Sequence, residues 1–155
     1  MATGTMLDYE MSKKDHLQKK GVPDKVKLNQ LQNLLHDALL ATGHVSRGAL
    51  IKQKDCSLKA STVGFSIPFD QMQLICDAFS NLNTTREQGV LFEGRLYKCV
   101  RADKNSIYGK HGKRGIVLVK TQTLIVVGVY SENMYPSVCI ESVEKLGDYL
   151  KEKGK

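Results

Sequence analysis

The chain has 155 residues, of which 41% are apolar, and a formal net charge of +7. That is enough apolar material for one core and too little for two, and it excludes fibrous and wholly disordered classes. The longest apolar run, residues 124–129, is far shorter than the ~20 residues of a membrane-spanning helix, and no secretion signal is visible. We therefore expect one soluble domain in the cytoplasm, without a transmembrane segment.

Residues 1–27 form a region of their own. They contain six lysines, four acids, two glycines and one proline, without apolar periodicity. This composition predicts a flexible basic extension at 1–27, followed by a domain over 28–155.

The domain begins with a predicted helix over 28–42. Leu28, Leu31, Leu35 and Leu39 recur at helical spacing, and Gly43 lies where such a helix should end. The stretches "GALIK" and "SLKAS" then read as the two strands of a hairpin. A second helix follows Pro68, and its predicted inward-facing residues are Phe69, Met72, Ile75, Cys76 and Phe79.

Short apolar segments separated by tight turns occupy residues 90–130. Because these turns are too short for parallel crossovers, the segments predict an antiparallel meander. A last amphipathic helix starts near Pro136, with Gly147 in its middle, where we expect another backbone to approach closely. Helices and an antiparallel sheet in this order predict an α+β layered domain.

Four cysteines lie at least twenty residues apart, with no CxxC pair and no histidine at zinc-ligand spacing. We expect reduced thiols, most of them buried, with a redox-sensitive or paired cysteine as the alternative. No metal site is predicted.

The positive charge is concentrated between Arg95 and Lys120, which include eight Lys or Arg and the single acid Asp103. Such a surface favours an acidic partner: nucleic acid, an anionic membrane or an acidic protein. The alternative is that these lysines lie at a sheet edge and at hairpin tips, where they prevent pairing with another chain and bind no partner.

Catalytic patterns are not found. "GKHGKRG" has two residues where a phosphate-binding loop needs four, and Arg114 stands where that loop needs Ser or Thr. The four histidines lie in the N-terminal extension, in or just after the first predicted helix and on a hairpin tip, and the local sequence suggests no catalytic carboxylate partner for them. We therefore predict a non-enzyme without a cofactor.

Nucleic-acid binding is not expected either, because the basic segment, residues 95–120, offers only Tyr97 and Tyr108 for base stacking.

The C-terminal half carries a family resemblance. "GKHGKRGIVLVKT", "LIVVGVY" and "MYPSVCIESVEKLGDYL" resemble the end of a profilin, most closely the divergent fourth type found in animals, and the earlier elements fall in the family's order. The resemblance implies a central antiparallel sheet with the N- and C-terminal helices on one face and a further helix on the other. It also implies partners: actin monomers, proline-rich segments and acidic phospholipids.

The resemblance implies a degenerate polyproline site. Profilins line this site with aromatic residues, because a polyproline helix docks on rigid aromatic grooves. Here only one of the five corresponding residues is aromatic, so we expect weak or undetectable polyproline binding. The five residues are Leu31, Leu34, Leu58, Tyr149 and Lys155.

The actin-binding surface implied by the resemblance lies on the later strands and the start of the last helix. Glu141 and Lys145 reverse the basic-then-acidic order usual on this helix, so we expect weakened actin binding. The alternative is an ordinary i, i+4 ion pair on a solvated helix face. The six residues expected on this surface are Arg101, Tyr108, Lys110, Tyr135, Glu141 and Lys145.

A lipid-binding reading draws on the same basic segment. Each cation near an anionic leaflet contributes about 1 kcal/mol, so a few of them support reversible attachment. The residues expected to contact lipid are Arg95, Lys98, Lys113, Arg114 and Lys120.

The sequence thus favours a cytoplasmic, cytoskeletal regulator that binds actin. The alternatives are a membrane adaptor of the same fold that binds phosphoinositides or, in third place, an RNA-binding protein.

Overall fold

A computed structural model describes the main chain of residues 24–155 and the side chains of residues 30–155. This part of the chain contains four α-helices: α1 (Asp24–Ala38), α2 (Phe69–Ser80), α3 (Leu82–Gln88) and α4 (Pro136–Glu152). Its seven strands are β1 (Arg47–Lys52), β2 (Leu58–Ser61), β3 (Val90–Phe92), β4 (Arg95–Ala102), β5 (Ser106–His111), β6 (Arg114–Lys120) and β7 (Leu124–Tyr130). A short 3-10 turn, Leu40–Thr42, follows α1.

All seven strands join one antiparallel sheet in the order β2-β1-β7-β6-β5-β4-β3. The predicted α+β class is therefore confirmed. Tight turns account for this pairing: Glu93 and Gly94 have φ values of 51° and 74° between β3 and β4, which suits a two-residue hairpin.

The sheet is covered on both faces. One core joins α1 and α4 to the sheet through residues such as Leu35, Val126 and Leu146. A second core lies on the opposite face and includes Ile75 of α2 and Ile116 of β6. Because both faces are covered, every residue of β7 is buried, which explains its continuous apolar sequence.

The N-terminal boundary differs from the predicted one. Helix α1 begins at Asp24, four residues before the predicted start, so residues 24–27 of the predicted extension are helical. Residues 1–23, which hold the rest of that extension, lie outside the described residues.

Two details around α2 correct the sequence interpretation. Phe69 is 61% exposed rather than buried, whereas Met72 and Ile75 do face the core. The segment after α2, for which the sequence pattern predicted no element, forms helix α3, which Asn81 caps by accepting a hydrogen bond from Thr84 N at 3.3 Å.

Cys56 and Cys76 form a disulfide that ties the β1–β2 turn to α2, with Cα atoms 6.4 Å apart. The expectation of reduced thiols is therefore wrong for this pair, whose members are far apart in sequence and adjacent in the fold. Cys99 and Cys139 are free, and burial raises the pKa of the Cys139 thiol to about 12.

Gly147 is closely approached, as predicted, but by a side chain. A Cβ atom at this position would lie 2.7 Å from Val119 Cγ1 of β6, so glycine lets α4 lie close to the sheet. Among the described helices, none is both long and apolar enough to cross a bilayer.

Candidate functional site

The predicted partner-binding residues of the strands lie together on β4 and β5. Arg101 is paired with Tyr108 across the two strands, and its guanidinium carbon lies 5.6 Å from the Tyr108 ring centroid. Arg101 also forms an ion pair with Asp103, with 3.0 Å between Nη2 and Oδ2. Main-chain hydrogen bonds, first from Asn105, hold the pKa of Asp103 below its ordinary value. The cation is thus held over the tyrosine ring in an exposed position.

Tyr108 joins this strand surface to helix α4. Its hydroxyl donates a hydrogen bond to Glu144 Oε2, and Ser106 Oγ donates to the same oxygen at 2.8 Å. Burial, followed by the hydrogen bond to the Glu144 carboxylate, raises the pKa of Tyr108 to about 12. Strands β4 and β5 and helix α4 therefore share one continuous polar surface.

Tyr135 lies at the N-terminal end of α4, 67% exposed. Its ring stacks on His44, with centroids 4.9 Å apart and planes 15° apart. The main-chain N–H of Tyr135 donates to His44 Nδ1 at 2.9 Å, so this nitrogen carries no proton in the contact. The loop after α1 thereby positions the exposed tyrosine.

Glu141 and Lys145 pair with each other on the exposed side of α4. Lys145 Nζ lies 2.9 Å from Glu141 Oε1, and the side chains are 46% and 66% exposed, respectively. The pair has the i, i+4 geometry of an ordinary surface ion pair. A partner that uses either charge has to separate it from the other.

The residues predicted to contact lipid are only partly brought together. Lys98 lies directly opposite Lys110 in the β4–β5 register, and Lys113 and Arg114 lie at the adjoining β5–β6 turn. Lys120 is at the far end of β6, roughly 20 Å away at the usual rise of a strand. Its Nζ lies 5.9 Å from the Phe79 ring centroid. Four predicted cations, Arg95, Lys98, Lys113 and Arg114, therefore lie at one end of the β4–β6 strands, with Lys110, and Lys120 does not.

The predicted polyproline residues offer little aromatic surface. Leu31 and Leu34 are both 5% exposed and belong to the core under α1 and α4. Tyr149 is also buried, and Lys153 Nζ lies 5.6 Å from its ring centroid. Leu58 pairs with Ile51, a residue of the opposite core, so the register directs it away from Leu31.

A groove of about 380 Å³ opens beside these residues, and we call it the lysine groove. Its floor is apolar and its rim is basic. The floor is formed by Leu31, Leu124 and Leu150, and the rim by Lys52, Lys54, Lys59, Thr123 and Lys155. Lys59, next to the predicted Leu58, is the β2 residue that lines the groove.

Sequence reasoning missed several residues of these surfaces. Glu144, Ser106 and His44 act through contacts between distant parts of the chain, and only the fold reveals those contacts. Lys59 was missed because an extra residue in β2 shifts the β1–β2 register at this point, and only the strand pairing shows that shift. Across the described residues, no cluster of three or more His, Cys, Asp or Glu could hold a metal ion.

In a comparison with protein families, the family model described as Profilin matches residues 29–155. Profilin-4 of Bos taurus is 48% identical over 128 residues, which are 82% of this chain and 99% of the relative. Profilin-1A of Acanthamoeba castellanii is 39% identical over 119 residues, which are 77% of this chain and 94% of the relative.

A solved structure agrees with these sequence matches. Acanthamoeba castellanii profilin IA superposes with a TM-score of 0.74 at 38% sequence identity. The match covers 80% of this chain and 98% of that one. Fold and sequence therefore point to the same family.

Proposed function

The chain belongs to the profilin family, and we propose that within it the chain binds actin monomers weakly and has reduced polyproline binding. Actin-binding regulation of the cytoskeleton is the general role of this family of non-enzymatic proteins. The proposal concerns the strength and position of the contacts in this particular chain. It places the chain in the cytoplasm and at the cytoskeleton.

One observation supports the actin surface above others: the bridge between β5 and α4. Because Tyr108 is hydrogen-bonded to Glu144, the strand residues Arg101 and Lys110 and the exposed face of α4 form one rigid surface. Actin would contact that surface as a unit. The ion pair between Glu141 and Lys145 supports weak binding of actin, since a charged group of actin must compete with an ion pair that is already formed.

The reduced polyproline binding is supported by the burial of Tyr149 and by the aliphatic side chains at Leu31 and Leu34. A polyproline helix gains affinity by stacking on exposed aromatic rings. Four of the five corresponding residues are not aromatic, and at ~1 kcal/mol each any three of them together already weaken binding roughly a hundredfold.

A pyrene-actin polymerisation assay tests the proposal. The chain, added in excess over actin monomers, should slow filament growth by holding monomers in complex. An equal amount of a heat-inactivated sample controls for nonspecific effects. Filament growth that is unchanged at all concentrations would overturn the proposal.

A second candidate function is attachment to anionic membranes. Lys98 and Lys110 lie directly opposite each other on exposed strands, an arrangement that repels until an anion binds between them. Arg95, Lys113 and Arg114 extend this positive surface toward the hairpin tip. Salt-sensitive co-sedimentation with phosphoinositide vesicles, combined with no effect on actin, would favour this function over the first.

A further inference from the structure

The lysine groove combines two properties that a single ligand would have to match. Three leucines form its floor, and four lysines surround it. Among the described residues, no carboxylate lies within ion-pair distance of any of these four ammonium groups. Asp55, the acid nearest in sequence, is hydrogen-bonded to Ser57 at 2.6 Å instead. The Ser57 hydrogen bond and, to a smaller extent, the charge of Lys52 lower the pKa of Asp55, so this acid offsets part of the Lys52 charge. The rim as a whole is a cluster of four cations above apolar surface, and none of them forms an ion pair among the described residues.

The groove is held open by hydrogen bonds that do not involve the leucine side chains of its floor. The main-chain oxygen of Lys155 accepts hydrogen bonds from Thr121 Oγ1 at 2.8 Å and from Thr123 N at 2.6 Å. Gln53 Nε2 donates to the main-chain oxygens of Thr121 at 2.7 Å and Leu124 at 3.0 Å. The β1–β2 turn, the β6–β7 turn and the end of the chain are thereby joined, so little ordering is needed before a ligand binds.

We propose that the lysine groove binds an acidic peptide segment of a partner protein, with a leucine-like side chain on its leucine floor and carboxylates on its lysine rim. The positive charge of the lysine rim favours an acidic segment, because the same lysines would repel a basic segment. Apolar contact supplies an anchor, as in other peptide-binding grooves. This chemistry differs from that of a polyproline segment, which carries neither charge nor branched aliphatic side chains.

The proposal does not rest on the actin surface. The groove lies among α1, α4, β1, β2 and the β6–β7 turn, whereas the actin residues lie on β4, β5 and the outer side of α4. Each surface can fail its own test without affecting the other.

The test is fluorescence anisotropy with the full chain and a labelled peptide, Asp-Glu-Glu-Leu-Leu-Asp-Glu. We expect saturable binding that weakens as salt rises. Two control peptides separate the two features: one has serine in place of both leucines, and the other has amides in place of all carboxylates. Each control should bind at least tenfold more weakly. Equal binding of either control would overturn the proposal.

Variants of the chain locate the site. Lys59→Glu should weaken peptide binding at least fivefold, because it reverses a rim charge. Lys104→Glu makes the same charge change in the β4–β5 turn, outside the groove, and should leave the affinity unchanged. Lys59→Glu should also leave the effect on actin polymerisation unchanged. Equal loss of peptide binding in both variants would mean nonspecific attraction and would overturn the proposal.

Related measurements distinguish the acidic peptide from two other possible occupants of the groove. If the peptide does not bind but phosphatidylserine vesicles bind in a manner sensitive to Lys59→Glu, the groove takes a membrane surface and the proposal fails. Residues 6–11, "MLDYEM", are an acidic and apolar stretch of this same chain. If changing Asp8 and Glu10 to lysine raises peptide affinity severalfold, this stretch competes for the groove, and a separate partner is not its occupant.

Discussion

Tyr108 of β5 donates its hydroxyl hydrogen bond to Glu144 of α4, across 36 residues of sequence. The bond connects the strand part of the proposed actin surface to its helical part. Since Ser106 donates to the same carboxylate oxygen, Glu144 is held between two strand residues. One carboxylate therefore links the sheet and the helix through hydrogen bonds at this surface, in addition to the apolar core between them.

Tyr108→Phe should destabilise the fold by about 1 kcal/mol, because it removes a hydrogen bond to a charged acceptor while preserving the ring. Urea denaturation measures the difference. Ser131→Ala is the matched control, since Ser131 lies outside this bridge. Equal stability of wild type and Tyr108→Phe would contradict a role for the bond.

The same variant has a pH signature. The pKa of Tyr108 is raised to about 12 from the ordinary 10, so the folded state favours its protonated form. Its contribution to stability is fully present below pH 10 and is lost as the pH rises toward 12. The gap in unfolding free energy between wild type and Tyr108→Phe should shrink over this range. A gap that widens would contradict this account.

Reduction of the Cys56–Cys76 disulfide should lower the unfolding free energy by about 3 kcal/mol, as expected for a crosslink of this span. The two cysteines are 20 residues apart in sequence. Thermal unfolding with and without dithiothreitol measures the loss. In a Cys56→Ser, Cys76→Ser double variant the reductant should have no further effect, and an equal loss there would mean that another thiol is responsible.

Proline decamer should not bind in the micromolar range, and a tryptophan placed in the groove should partly restore binding. We expect Lys59→Trp to raise the decamer affinity about fivefold, or ~1 kcal/mol, because this position lines the groove. Leu58→Trp is the matched control, since the register directs Leu58 to the opposite face. Calorimetric titration compares them, and a larger gain at position 58 would show that the β2 register is wrong.

Gly147→Ala should destabilise the fold by about 1 kcal/mol, although alanine favours a helix. The added methyl group would meet Val119 Cγ1 at 2.7 Å. In a Val119→Ala background, which removes that contact, the same substitution should be neutral or stabilising. A double-mutant cycle by urea denaturation measures the difference, and additive effects would contradict the crowding of α4 against β6.

Local patterns were sufficient to predict most of the elements. The four turns between residues 90 and 130 separated the strands of the meander, and the spacing of Cys139, Val143, Leu146 and Leu150 predicted α4, whose four residues are all buried. Helix α3 was missed because its sequence, "LNTTREQ", shows no apolar stripe. Its buried Thr85 is stabilised by a hydrogen bond of 2.7 Å to the main-chain oxygen of Ala78, which periodicity does not reveal.

The site was less predictable, because its contacts join distant residues. The resemblance placed Arg101 and Tyr108 on the later strands, and the structure brings them together, but Glu144 and His44 required the packing of α4 and the loop after α1. The Cys56–Cys76 disulfide was not predicted for the same reason. Spacing along the chain cannot indicate which turns meet when two layers close on a sheet.

The most direct test of the proposed function is the affinity of the full chain for labelled actin monomers, measured alongside Lys110→Glu. Wild type should bind saturably, and Lys110→Glu should weaken binding at least fivefold, because it reverses an exposed charge on the proposed surface. Lys104→Glu, with the same charge change outside that surface, should bind like wild type. No saturable binding by wild type, or equal binding by Lys110→Glu, would contradict the account.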